Sequence, residues 1–226
     1  MTRDPVGEPL TRSAEDYLKA IHALSGAGPA TTSQIALQLD LAPASVSGMI
    51  RRLSDQGLLD HEPYRGVVLT EAGRRVALRM IRRHRLIEAY LVGFLGYRWD
   101  NVHAEAERLE HAVSDALVER MAAALGHPAV DPHGDPIPGP DGLLEEPDYI
   151  PAPDLEVGAT AEVRRVDTSD ASRLRYLAES GLVPGTTVVL VDRQPFGGPV
   201  TLRAGGRDRV LGRELATMLL CVPGEE

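Results

Sequence analysis

The residues best suited to metal chemistry lie in the segment 103–111, which reads HAEAERLEH. Each residue of an α-helix advances by about 100°, so four of these residues fall within an arc of about 100°: His103, Glu107, Glu110 and His111. Apolar residues occupy the neighbouring arc, which places the four side chains at the edge of a buried face. Partly buried imidazoles and carboxylates need charge compensation, and a divalent cation supplies it. The spacing therefore predicts a metal site on this helix.

A second pair of metal-binding residue types precedes this segment. His84 and Glu88 are four residues apart, so they share one face of a helix. A single pair of this kind is more often a hydrogen-bonded surface pair than a metal site. Two such sets on successive helices favour a metal site, and imidazole with carboxylate suits Mn(II) or Fe(II). The single cysteine, Cys221, excludes an intrachain disulfide framework and a zinc site built from thiolates.

Residues of these types also occur in di-metal enzymes built on helical bundles. Those enzymes place Glu-x-x-His on paired helices, whereas this chain has Glu-x-x-Glu-His from Glu107 to His111. No Ser/His/Asp set suited to nucleophilic catalysis stands out. An enzyme would also leave the N-terminal region unexplained, so a protein that is not an enzyme is the stronger interpretation.

Two short helices are predicted in that N-terminal region, over residues 32–39 and 44–53. Asp40 tolerates the left-handed backbone that the turn between them needs. The strand-like runs 58–61 and 67–70 predict a β-hairpin, and a helix-turn-helix followed by a hairpin is a winged helix. Most helix pairs bind no DNA. Here, however, the second helix exposes small residues that allow close approach to a duplex: Ala44, Ser45, Ser47 and Gly48.

Arginines are concentrated in this part of the sequence, although the chain of 226 residues carries a net charge of -9. Residues 45–86 contain nine arginines and four acidic residues. A run of like charge is often only the solvated face of a helix. Its position beside the predicted winged helix favours a DNA-binding surface instead. To the small residues of the second helix we therefore add Ser33, Arg51, Arg52 and Arg65.

The sequence as a whole predicts an α+β protein of three domains. Residues 1–72 form a winged-helix domain, and residues 73–150 form a helical metal-binding domain with a proline-rich linker from about residue 127. Residues 151–226 contain short strand-like runs between Gly/Pro turns and predict a small SH3-like β-barrel. The helical domain is predicted to hold two long helices, 70–95 and 101–125.

The chain contains no segment that predicts a membrane or secretory location. No apolar run approaches the ~20 residues of a membrane-spanning helix. Residues 1–12 are polar and lack the apolar core of a secretory signal. We therefore expect a cytoplasmic protein.

Four short motifs occur together in this sequence: AEDYLKAI at 14–21, RHRL at 83–86, EHAVSD at 110–115 and GDPIP at 134–138. Through them the chain resembles, over nearly its whole length, the diphtheria toxin repressor family of metal-dependent transcriptional regulators. The resemblance implies a winged-helix DNA-binding domain, a helical dimerisation domain that holds the metal sites, and an SH3-like domain of the FeoA kind. It also implies a homodimer that binds palindromic double-stranded operator DNA when metal is bound. No membrane and no small-molecule substrate other than the metal ion is expected.

The same resemblance assigns metal ligands. One site would use Asp16, Glu107, Glu110 and His111, and the other would use His84, Glu88 and His103. Without the resemblance, Asp16 fits a helix-capping box that begins at Ser13.

The resemblance also bears on the metal. The iron-responsive branch has methionine and cysteine where this chain has Asp16 and Glu107. Hard oxygen thus replaces sulfur, which favours Mn2+, and the segment 64–70 also resembles the manganese branch. Fe2+ is the alternative cofactor, and a further ligand from the third domain, Asp167 or Asp170, stays open.

The expected mechanism is a coupling between metal binding and DNA binding. Arg51, Arg52 and Arg65 would contact phosphates, while the small residues of the second helix approach base edges. Metal binding would order the homodimer so that its two winged helices reach major-groove faces ~34 Å apart.

Substitutions in this surface should separate phosphate contacts from close approach to the bases. Arg65→Ala should weaken binding to every DNA sequence and reduce the slope of log affinity against log salt by about one, because a phosphate contact releases counterions without reading bases. Ser47→Leu should instead block approach of the recognition helix. Fluorescence anisotropy of operator DNA with metal-loaded protein, over a salt series, measures both. Binding by Ser47→Leu at the parent level would show that the recognition helix is misplaced.

Overall fold

The computed structural model describes residues 10–62, 65–145 and 147–224. The chain divides into two compact units, Met1–Arg83 with Pro138–Leu144 and His84–Ile137 with Glu145–Glu226. The three predicted domain boundaries stay predictions. Within the described ranges, no helix is both long and apolar enough to cross a membrane.

The first unit contains the predicted winged helix. Its elements are α1 (Arg12–Leu24), α2 (Thr32–Leu39), α3 (Pro43–Asp55), β1 (Leu59–Glu62), β2 (Gly66–Leu69) and the first part of α4 (Glu71–Leu95). The two strands pair antiparallel, with Leu59 opposite Leu69. One apolar core joins the three helices to the hairpin and to the start of α4, and its fully buried members include Leu18, Ile21, Ile35, Ile50 and Leu53.

The turn between α2 and α3 depends on Asp40, which adopts the predicted left-handed backbone (φ 53°, ψ 48°). Pro43 begins α3, where its missing N–H costs no helical hydrogen bond. Ala36 and Val46 are buried, so the small side chain on α2 and the β-branched one on α3 both face the core. The predicted helix-turn-helix is confirmed.

The start of α1 differs from the prediction. Thr11 is the N-cap, and its hydroxyl accepts a hydrogen bond from the backbone N–H of Ala14 at 3.3 Å. The helix therefore begins at Arg12, and a capping box starting at Ser13 is wrong. Asp16 lies one turn further along the helix than the cap. The polar segment before residue 10, and Pro63 and Tyr64 in the hairpin turn, lie outside the described residues.

The helical part of the second unit corrects another prediction. The single helix expected over 101–125 is two helices, α5 (His103–Leu109) and α6 (Asp115–Ala124). The Ser114 side chain accepts a hydrogen bond from the N–H of Leu117 and begins α6. Two small apolar clusters pack these helices against the rest of α4: Ile87, Leu91, Val102 and Ala106, and Leu86, Val118 and Ala122.

The remainder of the second unit is a six-stranded antiparallel sheet in the order β3-β8-β4-β5-β6-β7. Its elements are β3 (Ile150–Pro151), β4 (Thr160–Val166), α7 (Ala171–Glu179), β5 (Thr187–Arg193), β6 (Val200–Ala204), β7 (Arg207–Leu211), α8 (Arg213–Thr217) and β8 (Leu219–Pro223). Cys221 lies in its apolar core, where burial raises the pKa of the thiol to about 12. The sheet is consistent with the predicted SH3-like domain, and the α+β class is confirmed. The sequence did not predict β3, β7 or α8.

Two helical glycines give a matched test of how tightly the winged helix is packed. A Cβ at Gly73, near the start of α4, would lie 2.0 Å from the backbone oxygen of Leu58, whereas a Cβ at Gly48 would meet nothing within 4 Å. Gly73→Ala should therefore lower the free energy of unfolding by about 1–3 kcal/mol, as overpacking does. Gly48→Ala should raise it by about 1 kcal/mol, because alanine favours helix. Thermal and urea unfolding measure both, and equal effects would contradict the packing of α4 on the backbone of Leu58, just before β1.

Candidate functional site

The structure brings most of the predicted metal ligands together in the second unit. His84 and Glu88 lie one turn apart on α4, and both are buried. His103 and Glu107 lie one turn apart on α5, and Glu110 follows at the end of that helix. The spacing of four residues along a helix therefore correctly predicted that His84 shares a helix face with Glu88, and His103 with Glu107.

Three donor atoms form a small triangle at the first group. Nε2 of His84, Nδ1 of His103 and Oε1 of Glu88 are each 3.0 Å from the other two. Two ligands at right angles around a divalent ion, each about 2.1 Å from it, are also about 3.0 Å apart. The spacing and the nitrogen and oxygen donors therefore fit a divalent cation.

His84 extends this group through its other ring nitrogen. Nδ1 lies 2.5 Å from Oε2 of Glu110 and 3.7 Å from Oε1 of Glu107. Glu110 is fully buried, and its second oxygen lies 3.2 Å from Nε2 of His111. A neutral imidazole donates through one nitrogen only. Contacts to carboxylates on both sides of His84 therefore need a second proton or a cation.

A third group was not predicted. Glu88, Asp131 and His133 are all buried and could hold a metal ion. Nδ1 of His133 lies 3.5 Å from Oε2 of Glu88, and its Nε2 lies 2.7 Å from the backbone oxygen of Trp99. That carbonyl can only accept, so Nε2 carries the proton and Nδ1 faces Glu88. Glu88 therefore belongs to two groups.

Sequence reasoning missed Asp131 and His133 because they lie in the segment interpreted as a linker. The segment has no helical or strand period, and the structure nevertheless holds it in a defined loop. The Asp131 carboxylate accepts hydrogen bonds from the N–H groups of His133 and Asp135. The available signal was the short pattern Asp-Pro-His-Gly-Asp, which places two ligand types two residues apart in a tight turn.

The buried charges perturb one another strongly. Burial opposes ionisation of Glu88, but hydrogen bonds from His103, His133 and His84 outweigh it and hold the pKa of the Glu88 carboxyl well below its ordinary value. Burial also opposes protonation of His133, yet the hydrogen bond and charge of Glu88 raise the pKa of His133 to about 9. Burial raises the pKa of Asp131 to about 7, and the charges of Asp135 and Glu88 add to the effect.

Three further candidates lie elsewhere. Asp16 lies on α1 in the first unit, and its role as a ligand stays a prediction. Asp170 is the N-cap of α7, where its carboxylate accepts from the N–H groups of Ser172 and Arg173. Asp167 pairs with Arg165 at 3.1 Å. Among the described residues, neither Asp167 nor Asp170 joins a group of potential metal ligands.

The predicted DNA-binding residues are all exposed on the first unit. On α3 the buried side is formed by Val46, Ile50 and Leu53. The other side exposes Ala44, Ser45, Ser47, Gly48, Arg51 and Arg52. Ser33, on α2, and Arg65, in the hairpin, are exposed as well. A helix face free of large side chains, with arginines at its C-terminal half, is compatible with approach to a duplex.

A winged helix combined with buried imidazole and carboxylate groups defines a metal-responsive DNA-binding protein. Three family models match the chain in succession. They are the iron dependent repressor N-terminal DNA binding domain over residues 9–67, the iron dependent repressor metal binding and dimerisation domain over 70–139, and the FeoA domain over 150–223.

Individual proteins agree with these models. The iron-dependent repressor IdeR of Mycobacterium tuberculosis is 33% identical over 92% of this chain and 95% of its own length. A solved manganese-dependent transcriptional repressor in complex with manganese is 41% identical, with a TM-score of 0.87 over 93% of this chain and 99% of that chain. ScaR with bound Cd2+ is 32% identical, with a TM-score of 0.81 over 92% and 98%. The chain belongs to the iron-dependent repressor family of metal-dependent transcriptional repressors.

The charge of Glu88 should control the titration of the neighbouring imidazole. In the metal-free protein, Glu88→Gln should lower the pKa of His133 from about 9 toward its ordinary 6.5, because the acceptor loses its charge. The raised pKa of His133 stabilises the parent fully below pH 6.5, and this stabilisation is lost as the pH rises through about 9. NMR titration of the ring protons and unfolding at several pH values measure both effects.

Glu119→Gln, on the exposed surface of α6, is the control and should leave the His133 titration unchanged. A His133 pKa that stays near 9 in Glu88→Gln would contradict the contact between these two residues.

Proposed function

We propose that this protein is a manganese-dependent repressor that binds palindromic operator DNA as a homodimer. The observation that carries the proposal is the triangle of nitrogen and oxygen donors around Glu88. All described groups of candidate ligands are built from His, Asp and Glu, while Cys221 lies in the core of the sheet. Imidazole nitrogen and carboxylate oxygen donors, without a thiolate, favour Mn2+ over metals that prefer sulfur ligands. The manganese complex among the similar solved structures supports the same metal.

The proposed ligands fall into overlapping groups. His84, Glu88 and His103 form one group, and His84, Glu107 and Glu110 form another, with His111 beside Glu110. We include Asp131 and His133 as candidate ligands beside Glu88 on their geometry. Asp16 is included on family membership. A bound divalent ion would supply the positive charge that these buried carboxylates require.

The chain's own residues would then link metal to DNA. In the metal-free protein the charges of Asp135 and Glu88 repel the buried carboxylate of Asp131 and contribute to its raised pKa. Relief of that repulsion would favour the ordered form of the homodimer, and that form would present α3 and Arg65 of each copy to one half of the operator. The action on DNA supports the expected cytoplasmic location. The repressor family supports a role that is not enzymatic.

Fe2+ is the second candidate, because similar repressors such as IdeR are named iron-dependent. A direct metal titration decides between the two. Operator DNA is first selected from a random pool in the presence of both Mn2+ and Fe2+. Its affinity for the protein is then measured against the free concentration of Mn2+, Fe2+ or Zn2+, with chelator as the metal-free control.

We expect Mn2+ to activate DNA binding most effectively. Zn2+ should bind to the protein but should activate DNA binding poorly. Four tetrahedral ligands satisfy Zn2+, and these need not include Asp16. Equal affinity with and without chelator would contradict metal-dependent repression. Activation by Fe2+ alone would assign the protein to iron.

Replacing the two proposed oxygen ligands by sulfur should change the preferred metal. Asp16→Met combined with Glu107→Cys should shift activation from Mn2+ toward Fe2+ or Zn2+, because sulfur is the softer donor. Glu119→Cys, at an exposed position of α6, is the control for an added thiol. The same DNA titration measures the shift. An unchanged preference in the double variant would contradict the oxygen-ligand argument.

A further inference from the structure

The loop around Asp131 and His133 contacts two parts of the second unit, β4 and the part of α4 that begins at His84. The backbone oxygen of His133 accepts a hydrogen bond from the N–H of Val166 at 2.9 Å. Gly134 has φ +86°, and a Cβ there would lie 1.9 Å from the backbone oxygen of Arg164. The loop backbone therefore packs directly against the β4 backbone, with no room for a side chain between them.

A carboxylate in the same loop pairs with arginines from both elements. Oδ1 of Asp135 lies 2.8 Å from Nε of Arg165, on β4, and 3.2 Å from Nη2 of Arg85, on α4. All three side chains are mostly buried. Arg85 also donates to the backbone oxygen of Pro136. Because ion pairs with restricted access to water are screened less than exposed pairs, Asp135 ties the loop to the helix and to the sheet.

A second set of contacts holds the other side of His133. Its ring stacks on Trp99, with ring centroids 5.6 Å apart, and bonds to the Trp99 backbone oxygen. The next residue, Asp100, is buried and pairs with Arg175 of α7 at 3.1 Å. The FeoA-like part of the chain thus contacts the surroundings of His133 from two directions, although Asp167 and Asp170 donate no ligand atom to the described groups.

We infer that Arg165 and Asp135 are positioning residues for metal binding at Glu88, Asp131 and His133. Arg165 holds Asp135, and Asp135 holds the turn in which the Asp131 carboxylate accepts from the N–H groups of residues 133 and 135. Both candidate ligand side chains are thereby kept beside Glu88. The FeoA-like sheet thereby contributes to metal binding by ordering the loop that carries these two ligands. The inference rests on the proposed metal-binding function.

The test uses the full-length protein and Mn2+ as the probe. Arg165→Ala should weaken one class of Mn2+ sites by roughly 10-fold, the lower end of the effect of removing an outer-shell partner, because Arg165 acts through Asp135. Arg165→Lys keeps the charge and should restore part of the affinity. Arg203→Ala is the matched control, because Arg203 pairs with Asp208 at 2.7 Å on another strand of the same sheet. Electron paramagnetic resonance of free Mn2+ gives the affinities.

A metal-free measurement separates positioning from general loss of structure. Hydrogen exchange of the amides of residues 133 and 135 should be faster in Arg165→Ala and unchanged in Arg203→Ala. The buried strand amides of Val188 and Leu202 should stay protected in both. If Arg165→Ala does not fold, Arg165→Lys and Asp135→Asn are judged by the same two measurements.

The outcomes are distinct. Parent-like Mn2+ affinity in Arg165→Ala, or unchanged exchange at residues 133 and 135, overturns the positioning role and leaves the proposed function intact. Loss of protection across the whole sheet also overturns it, because Arg165 would then act on the stability of the domain. A parent protein that binds no Mn2+ overturns the proposed function itself.

Discussion

The buried carboxylate of Glu88 is the constraint on which the organisation of the second unit depends. Only 2% of Glu88 is exposed, and an ionised carboxylate in such surroundings needs partners that supply positive charge or hydrogen bonds. Three imidazoles, those of His84, His103 and His133, come from three separate elements to meet this need. The helices and the loop after α6 must therefore converge on one point of α4.

Helix geometry and the end of α5 bring the ligand side chains to this point of α4. An α-helix places His84 one turn before Glu88, and α5 turns its N-terminal residue His103 toward them. The break after Leu109 ends α5, so that Glu110 approaches His84 while His111 follows outside the helix. A helix that continued straight past Leu109 would have carried residues 110 and 111 further along its own axis. The serine cap of α6 is thus part of how the ligand groups are assembled.

The sequence predicted the site correctly where helical spacing places residues on the same face of one helix. The spacing of His84 and Glu88, and of His103 and Glu107, identified residues that do meet in space. The turn at Asp40 followed from the backbone that aspartate tolerates. The break between α5 and α6 was missed because apolar residues continue at helical spacing across it, and only Ser114 marked the new start.

Other parts of the structure carried no such signal. Asp131 and His133 approach Glu88 through contacts distant in sequence, in a segment whose prolines and glycines predict only irregular backbone. The edge strand β7 begins with charged residues where alternating apolar ones would mark a strand: the exposed Arg207 and Asp208, and the half-buried Arg209. Its pairing with β6 becomes evident only from the hairpin that joins them.

The position of the single cysteine has a consequence for the chemical environment in which the ligand groups can operate. Cys221 is fully buried in the sheet, and the high pKa of its thiol suppresses the thiolate that oxidants and disulfides attack. The described ligand groups themselves contain no sulfur. Peroxide and thiol–disulfide exchange therefore find no sulfur to modify among those ligands, so none of these groups loses a ligand through cysteine or methionine oxidation.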